Sequence, residues 1–222
     1  MQDLQQLQPL LTSLGYQDEI KSLAGFGQRF SEFQKLDAEI LPLAVENTNL
    51  KAQRLSFGAG QDAADAFSTA MLAAGKQAPA SSEAASVVAT SRAALLEIQV
   101  LQARHIAEAD EAAMSRMEAQ MAESERVARK GIGRLRTLLP ASMVAGPVGS
   151  GERRGPSLAA ADAALERFTA VNRQIVELSR RNSNVRSLAL TLGRKRVVAV
   201  ECEDQLRTLE ETLGRHAFQA TR

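Results

Sequence analysis

Residues 168–192, FTAVNRQIVELSRRNSNVRSLALTL, decide the fold class of this chain. Apolar side chains recur in this stretch at spacings of three or four residues, or of their sum, seven: Phe168, Val171, Ile175, Leu178, Val185 and Leu192. This period matches the 3.6 residues per turn of an α-helix and marks one face as buried. The stretch therefore predicts a long helix that packs against other helices, and the chain is expected to be all-α.

The same pattern stands 135 residues earlier in the chain, at residues 33–57. There NTNLKA (residues 47–52) aligns with NSNVRS (residues 182–187), and Phe33, Ile40 and Leu43 align with Phe168, Ile175 and Leu178. A shared motif in a shared helical register indicates an internal repeat. The sequence therefore predicts two copies of one helical unit.

Extending the apolar stripe through both copies places Asn47 and Asn182 at core positions. The stripe of the first copy would continue through Leu50, Arg54 and Phe57. If the two helices are antiparallel, the two amides lie near one level. Buried amides require partners, so they either fix helix register or line a pocket for a small polar or anionic ligand. The candidate pocket residues are Asn47, Asn49, Lys51, Arg54, Asn182, Asn184 and Arg186.

Composition excludes several classes of protein. The 27 Lys and Arg residues nearly balance the 26 Asp and Glu residues, so no net field favours nucleic acid as a partner. The lone Cys202 and the isolated His105 and His216 lack metal-ligand spacing, and both histidines are expected to be structural or solvated. No nucleophile, base and orienting group converge, so we expect no enzyme, cofactor or metal.

Helix-breaking residues divide the chain into helical blocks at about residues 2–74, 84–139 and 158–219, with a flexible loop at 140–157, all within one domain of residues 1–222. The apolar stripe of the middle block fades between Gln102 and Ala113. Because no Gly or Pro lies there, a continuous helix is expected, with a fold-back at this point as the alternative.

The stretches ENTNLKAQRLSFG (residues 46–58) and SRRNSNVRSLALTLGRKR (residues 179–196) resemble helices of the periplasmic sensor regions of bacterial methyl-accepting chemotaxis receptors of the four-helix-bundle type. The resemblance covers roughly residues 28–75 and 158–213. It implies an elongated antiparallel helical bundle that forms a homodimer. It further implies inner-membrane spans flanking the fragment, ligand binding in the periplasm and signalling by helix displacement.

Such a receptor needs both chain ends at the membrane, whereas three uninterrupted blocks would place them at opposite ends. An extra reversal is therefore expected, either near His105 or near Gly25. A cytosolic helical scaffold or adaptor is the alternative function, and a histidine kinase or nucleotide cyclase could equally carry the sensor. Neither ligand identity nor output domain follows from these residues.

Overall fold

The computed structural model describes residues 2–79, 81–139 and 156–220, and no strand occurs among them. The all-α prediction is confirmed. The described residues form nine α-helices and two short π-helical turns. The helices are α1 (Gln2–Leu14), α2 (Gln17–Glu46), α3 (Thr48–Leu55), α4 (Gln61–Gln77), α5 (Ser82–Ala107), α6 (Glu111–Leu138), α7 (Pro156–Arg181), α8 (Ser183–Leu190) and α9 (Arg196–Ala220). The first π turn is Ser56–Gly60 and the second is Thr191–Lys195.

The chain folds into two compact units. Unit 1 comprises residues 1–46 and 183–222, and unit 2 comprises residues 47–182. The chain therefore enters unit 2 at Asn47 and leaves it after Asn182. The loop predicted at 140–157 lies outside the described residues, apart from Pro156 and Ser157, which begin α7.

Unit 1 is built on α2, which runs antiparallel to α8, the second π turn and α9. Ion pairs join the two sides: Arg29 Nε lies 3.0 Å from Glu201 Oε2, and Lys195 Nζ lies 2.5 Å from Asp37 Oδ1. The same Lys195 ammonium lies 4.7 Å from the centroid of the Phe33 ring. Paired charges therefore lie along much of unit 1, in which only a few large side chains of α2 and α9 are buried.

The N-terminal end of unit 1 has a small apolar core, where Leu11, Leu23 and Leu209 are buried together. Helix α1 ends in a Schellman arrangement, in which Tyr16 N–H donates to Leu11 O and Gly15 N–H donates to Thr12 O. Gly15 has a φ of 73°, which a glycine adopts without steric cost. The turn returns the chain so that α1 packs on α2.

Unit 2 contains the main hydrophobic core, with fully buried residues such as Phe67, Met71, Ile98, Leu135 and Phe168. Its helices α4, α5, α6 and α7 run in alternating directions. Cross-helix bonds fix these directions, for example Gln99 to Gln61, Glu83 to Arg134 and Arg136 to Asp162. Small residues allow close approach of the helices, since a Cβ on Gly75 of α4 would lie 2.7 Å from Val88 Cγ2 of α5.

The predicted continuity of residues 84–139 is wrong, because α5 ends at Ala107 and α6 returns antiparallel from Glu111. Three residues suffice for the reversal. The Glu108 carboxylate accepts from the N–H groups of Ala109 and Asp110, both at 2.9 Å, and Asp110 caps α6 by accepting from Ala113 N–H at 2.5 Å. Acidic side chains supply the turn that Gly or Pro would otherwise mark. Of the two predicted places, the chain reverses near His105 and not at Gly25, which lies inside α2; it also reverses at Gly15, between α1 and α2.

The repeat is reproduced in local backbone geometry. Asn47 and Asn182 have φ values of 53° and 52°, and they are the non-glycine residues with positive φ in the described part of the chain. Each is followed by an eight-residue α-helix and then a five-residue π turn. Asparagine tolerates the left-handed region better than other residues with a Cβ. The two copies therefore share one helix break and one π turn in the same order.

These breaks shift the phase of the following helices, so the predicted stripe does not continue past Asn47. Phe57 is 69% exposed and Arg54 is also exposed, whereas Thr48, Ala52 and Ser56 are buried. In the second copy Leu192 is 62% exposed, while Ser183 and Ser187 are buried. The stripe prediction is therefore wrong beyond each asparagine, because a left-handed residue interrupts the helix on which the extrapolation depended.

Candidate functional site

The sequence predicted that the Asn47 and Asn182 amides lie near one level, whereas the structure brings Asn182 into contact with Asn49, two residues beyond Asn47. Asn49 Nδ2 donates to Asn182 Oδ1 at 2.8 Å and to Ile106 O at 2.6 Å. Asn182 is 7% exposed and donates its own Nδ2 to Glu108 O at 2.7 Å. The structure therefore places two of the predicted site residues together, against the turn between α5 and α6.

The Asn49 and Asn182 side chains donate hydrogen bonds to backbone carbonyl groups at the C-terminal end of α5. The last carbonyl groups of a helix have no partner within the helix and require donors from elsewhere. Ser179 Oγ donates to His105 O at 2.7 Å, Asn49 to Ile106 O, and Asn182 to Glu108 O. Three side chains from two other segments of unit 2 thus fix the point at which α5 stops and the chain turns into α6.

A buried polar layer continues inward from this turn. We use that name for the polar side chains Asn49, Ser56, Gln102, His105, Glu118, Asn172, Ser179 and Asn182. His105 is 0% exposed, with Nδ1 2.7 Å from Ser179 Oγ and Nε2 2.9 Å from Glu118 Oε1. The Ser179 proton is already donated to His105 O, so its Oγ accepts from Nδ1. Both ring nitrogens of His105 therefore lie within hydrogen-bonding distance of a polar partner.

Arg180 binds the Glu118 carboxylate on the side nearer the solvent. Its Nε donates to Glu118 Oε1 at 2.6 Å and its Nη2 donates to Ser115 Oγ at 2.8 Å. The hydrogen bond from Arg180 lowers the pKa of the Glu118 carboxyl from its ordinary value, against the opposing effect of burial. Glu118 is therefore held as an acceptor facing His105, and the charge of Arg180 compensates it.

A second branch of the layer crosses unit 2 at Gln102, which is also 0% exposed. Ser56 Oγ, in the first π turn, donates to Gln102 Oε1 at 2.8 Å, and Gln102 Nε2 donates to Asn172 Oδ1 at 2.8 Å. The amide joins the first π turn to α5 and α7. A displacement of the π turn would therefore strain a buried bond in the core.

The remaining predicted site residues are placed differently. Asn47 forms the left-handed break before α3, and Asn184 lies half-buried in unit 1. Lys51, Arg54 and Arg186 are exposed on the helices that follow the two breaks. The predicted grouping of all seven residues as ligand contacts is not tested by these positions and stays a prediction.

Several residues of the layer were not anticipated from sequence, among them Gln102, Glu118 and Ser179. Their common signal was the fading apolar stripe between Gln102 and Ala113. A polar residue at a core position of a helix predicts a polar partner on a facing helix, and this rule would have directed attention to His105. The sequence alone does not identify the facing residues, which lie more than 60 positions away in the case of Ser179 and Arg180.

The chemistry available to the layer is that of hydrogen bonding and charge compensation. Among the described residues, no group of three or more His, Cys, Asp or Glu side chains is arranged to hold a metal ion. The thiol of Cys202 is buried in unit 1, where burial raises its pKa. No protein-family model, curated protein or solved structure matches this chain.

One helix in the described ranges, α5, has the length and mean hydropathy of a membrane span. Its apolar character is also that of a core helix, since Leu95, Ile98 and Leu101 are buried in the core of unit 2. The same helix carries the buried polar residues Gln102 and His105. Composition alone is therefore weak evidence that α5 crosses a membrane.

Proposed function

We propose that this chain is the ligand-sensing, periplasmic part of a transmembrane receptor of the methyl-accepting chemotaxis type, anchored in the inner membrane by spans on either side. In this proposal unit 2 receives the stimulus as a four-helix bundle of α4–α7. Helices α2 and α9 pass the signal to the membrane. No chemistry on the ligand is required, because a ligand that binds one arrangement of the helices better than another shifts their equilibrium.

The repeated helix break is the observation that carries this proposal. Asn47 and Asn182 share the left-handed conformation, and they stand at the two points where the chain enters and leaves unit 2. The buried polar layer contacts this region directly, since Asn182 bonds both Asn49 and the end of α5. Any change in the α5–α6 turn is therefore coupled through a short hydrogen bond to the residue at which α7 ends.

The arrangement of unit 1 also supports a transmitting role. The start of α2 and the end of α9 lie at one end of this unit, where Glu19 Oε1 is 3.0 Å from His216 Nε2. Helix α9 runs toward this end and can continue into a membrane span, whereas α2 is preceded there by α1, which folds back on it. The contacts of α2 with the second π turn and α9 include several surface ion pairs, which are individually weak and can exchange at modest cost.

We further propose that the chain acts as a homodimer through unit 1. Apolar side chains are exposed on both of its long segments, with Val45 at 80%, Leu41 at 61%, Val200 at 50% and Val197 at 48%. A second copy of unit 1 packed against these segments would remove their exposed apolar side chains from water. The same surface also favours the alternative function, a helical scaffold that binds a partner helix in the cytosol.

The test is cross-linking of α2 to the second π turn in the full-length product of the parent gene, in a Cys202→Ser background. Cysteines replace Glu32 on α2 and Arg194 in the π turn, which form an ion pair, and a panel of small metabolites is screened for a change in the disulfide formation rate. We expect at least one metabolite to change the rate. A control pair within α2, Asp18→Cys with Ser22→Cys, should not respond.

The same gene provides a second criterion. We expect apolar runs of about 20 residues on both sides of the fragment, the length needed to span a bilayer. A parent protein without such runs, whose cross-linking rate responds only to another protein, would contradict the receptor proposal and favour the scaffold.

A further inference from the structure

A groove of about 560 Å³ lies between the end of α4 and the start of α5. Its volume is in the range of small-molecule sites in proteins. The groove is separate from the polar layer, because Ala85 and His105 are twenty residues apart on α5, or about 30 Å along the helix axis. Its lining is mostly small and apolar: Leu72, Gly75, Lys76, Ala78, Pro79, Ser81, Ala84, Ala85, Val88, Ala89 and Arg92.

Small side chains keep this groove open. The helices touch at Gly75 and Val88, where a Cβ added to the glycine would lie 2.7 Å from Val88 Cγ2. Next to this contact α5 presents Ala85 and Ala89, whose methyl groups are exposed and do not reach α4. Covering these exposed apolar side chains with a hydrocarbon group would be favourable, because it removes apolar surface from water.

The charges at the groove have one sign. Lys76 and Arg92 are the charged residues among those lining it. Arg92 Nε donates to Ser68 Oγ at 2.6 Å, which fixes the guanidinium on the α4 side. The N-terminus of α5 also lies at the groove, with Ser81 as its cap. Glu83, in the first turn of α5, is outside the lining and its carboxylate is paired with Arg134 of α6.

A smaller groove of about 300 Å³ between α6 and α7 offers no comparable preference. It is lined by Glu118, Glu125, Arg173 and Glu177, so both signs of charge are present. Its carboxylates are already paired, for example Glu125 with Arg129 and Glu177 with Arg181. The α4–α5 groove is therefore the site whose charge and apolarity together define a ligand.

We propose that the α4–α5 groove binds a small amphipathic carboxylate, with its hydrocarbon part over Ala85 and Ala89 and its carboxylate at Lys76 or Arg92. Binding there is independent of the proposed function. The further role of the groove as the stimulus site rests on that function. A ligand across α4 and α5 would contact both helices and favour the spacing that suits it.

The first experiment titrates hexanoate into the full chain at low ionic strength, followed by calorimetry and by amide shifts in α5. The neutral 1-hexanol and the cationic hexylamine serve as matched probes of the same length. We expect hexanoate to shift the amides of residues 84–89 and to bind about tenfold more tightly than hexanol, the ratio that one charge-assisted bond provides. Added salt should weaken hexanoate alone.

Variants locate the two parts of the ligand. Lys76→Gln or Arg92→Gln should weaken hexanoate about tenfold, according to which cation holds the carboxylate, and Ala85→Leu should fill the groove and weaken both probes. The controls are Lys130→Gln on α6 and Ala93→Leu on α5, at exposed positions outside the groove. Both should bind hexanoate normally.

Equal affinity for hexanoate and hexanol, or equal weakening by the control variants, would overturn the carboxylate site. Tighter binding of hexylamine or of an apolar peptide would overturn it in favour of that occupant. Hexanoate binding that leaves the rate of cross-linking between positions 32 and 194 unchanged would overturn the stimulus role. Failure of hexanoate to bind, alongside a cross-linking response to another metabolite, would overturn the groove while leaving the sensing module intact.

Discussion

Replacing Asn182 tests whether the helix break and the polar layer are both needed for stability. Asn182→Ala removes the donor to Glu108 O and the acceptor for Asn49 Nδ2. A buried polar group left without its partner costs about 1–3 kcal/mol. The left-handed backbone at φ 52° costs an alanine about 1 kcal/mol more. The free energy of unfolding should therefore fall by about 2–4 kcal/mol, the sum of these two terms.

Asn182→Gly separates the two contributions. Glycine removes the same hydrogen bonds but adopts positive φ without strain, so its cost should be about 1 kcal/mol smaller than that of alanine. Asn47→Ala and Asn47→Gly form a matched pair at the equivalent break and should differ by a similar amount. Urea unfolding followed by circular dichroism gives the free energies, and hydrogen exchange near Glu108 shows whether the loss is local.

Two results would refute this reasoning. If Asn182→Ala and Asn182→Gly are equally stable, the left-handed conformation carries no cost and the repeated break has no energetic role. If both variants lose less than about 0.5 kcal/mol, the value typical of an uninvolved surface position, the polar layer does not stabilise the α5–α6 turn.

Three further predictions follow from the packing of unit 2. Gly131→Ala should destabilise the chain by about 1–3 kcal/mol, because its Cβ would lie 1.8 Å from Ser91 Oγ. Gly133→Ala meets open space on the same helix and should stabilise the chain by about 0.5–1 kcal/mol. Urea unfolding measures both changes, and the reverse order of stability would contradict the packing of α5 on α6. Asp110→Ala removes the cap of α6 and should cost about 1 kcal/mol, and an unchanged unfolding midpoint would show that the reversal does not depend on this cap. Because the pKa of Glu118 is lowered in the fold, its carboxylate should stabilise the fold at pH values above the ordinary glutamate pKa, and this contribution should be lost as the pH falls through the lowered pKa. The melting temperature of Glu118→Gln should therefore depend less on pH in the acid range than that of the unmodified chain. The same pH dependence in both proteins would contradict this prediction.

The sequence predicted the helices because their apolar period is a local property. Residues such as Phe168 and Ile175 are buried as their spacing indicated, and the repeat at 135 residues reappears as equal backbone geometry. The alignment of Asn47 with Asn182 pointed to the positions where both helices break. Periodicity alone did not indicate the breaks, since an asparagine within a stripe is compatible with a continuous helix.

The parts that sequence did not predict depend on contacts between distant segments. The reversal at Glu108–Asp110 is stabilised by carboxylate caps, a weaker signal than Gly or Pro, and by donors from α7 that only the fold brings near. The polar layer pairs Gln102 with Asn172 and His105 with Ser179, across 70 or more residues. Such partners become identifiable only when the helices are assigned to neighbouring positions in the core.

The spacing between each left-handed asparagine and its π turn also determines which way the side chains beyond the π turn point. Eight residues separate the two features in both copies, although the intervening side chains differ at most positions, such as Arg54 against Ala189. A π turn closes its hydrogen bonds over one residue more than an α-helix does. One residue of an α-helix corresponds to a rotation of about 100° around the axis. Because the spacing is the same, α4 and α9 begin in the same rotational register relative to the asparagine that precedes each of them.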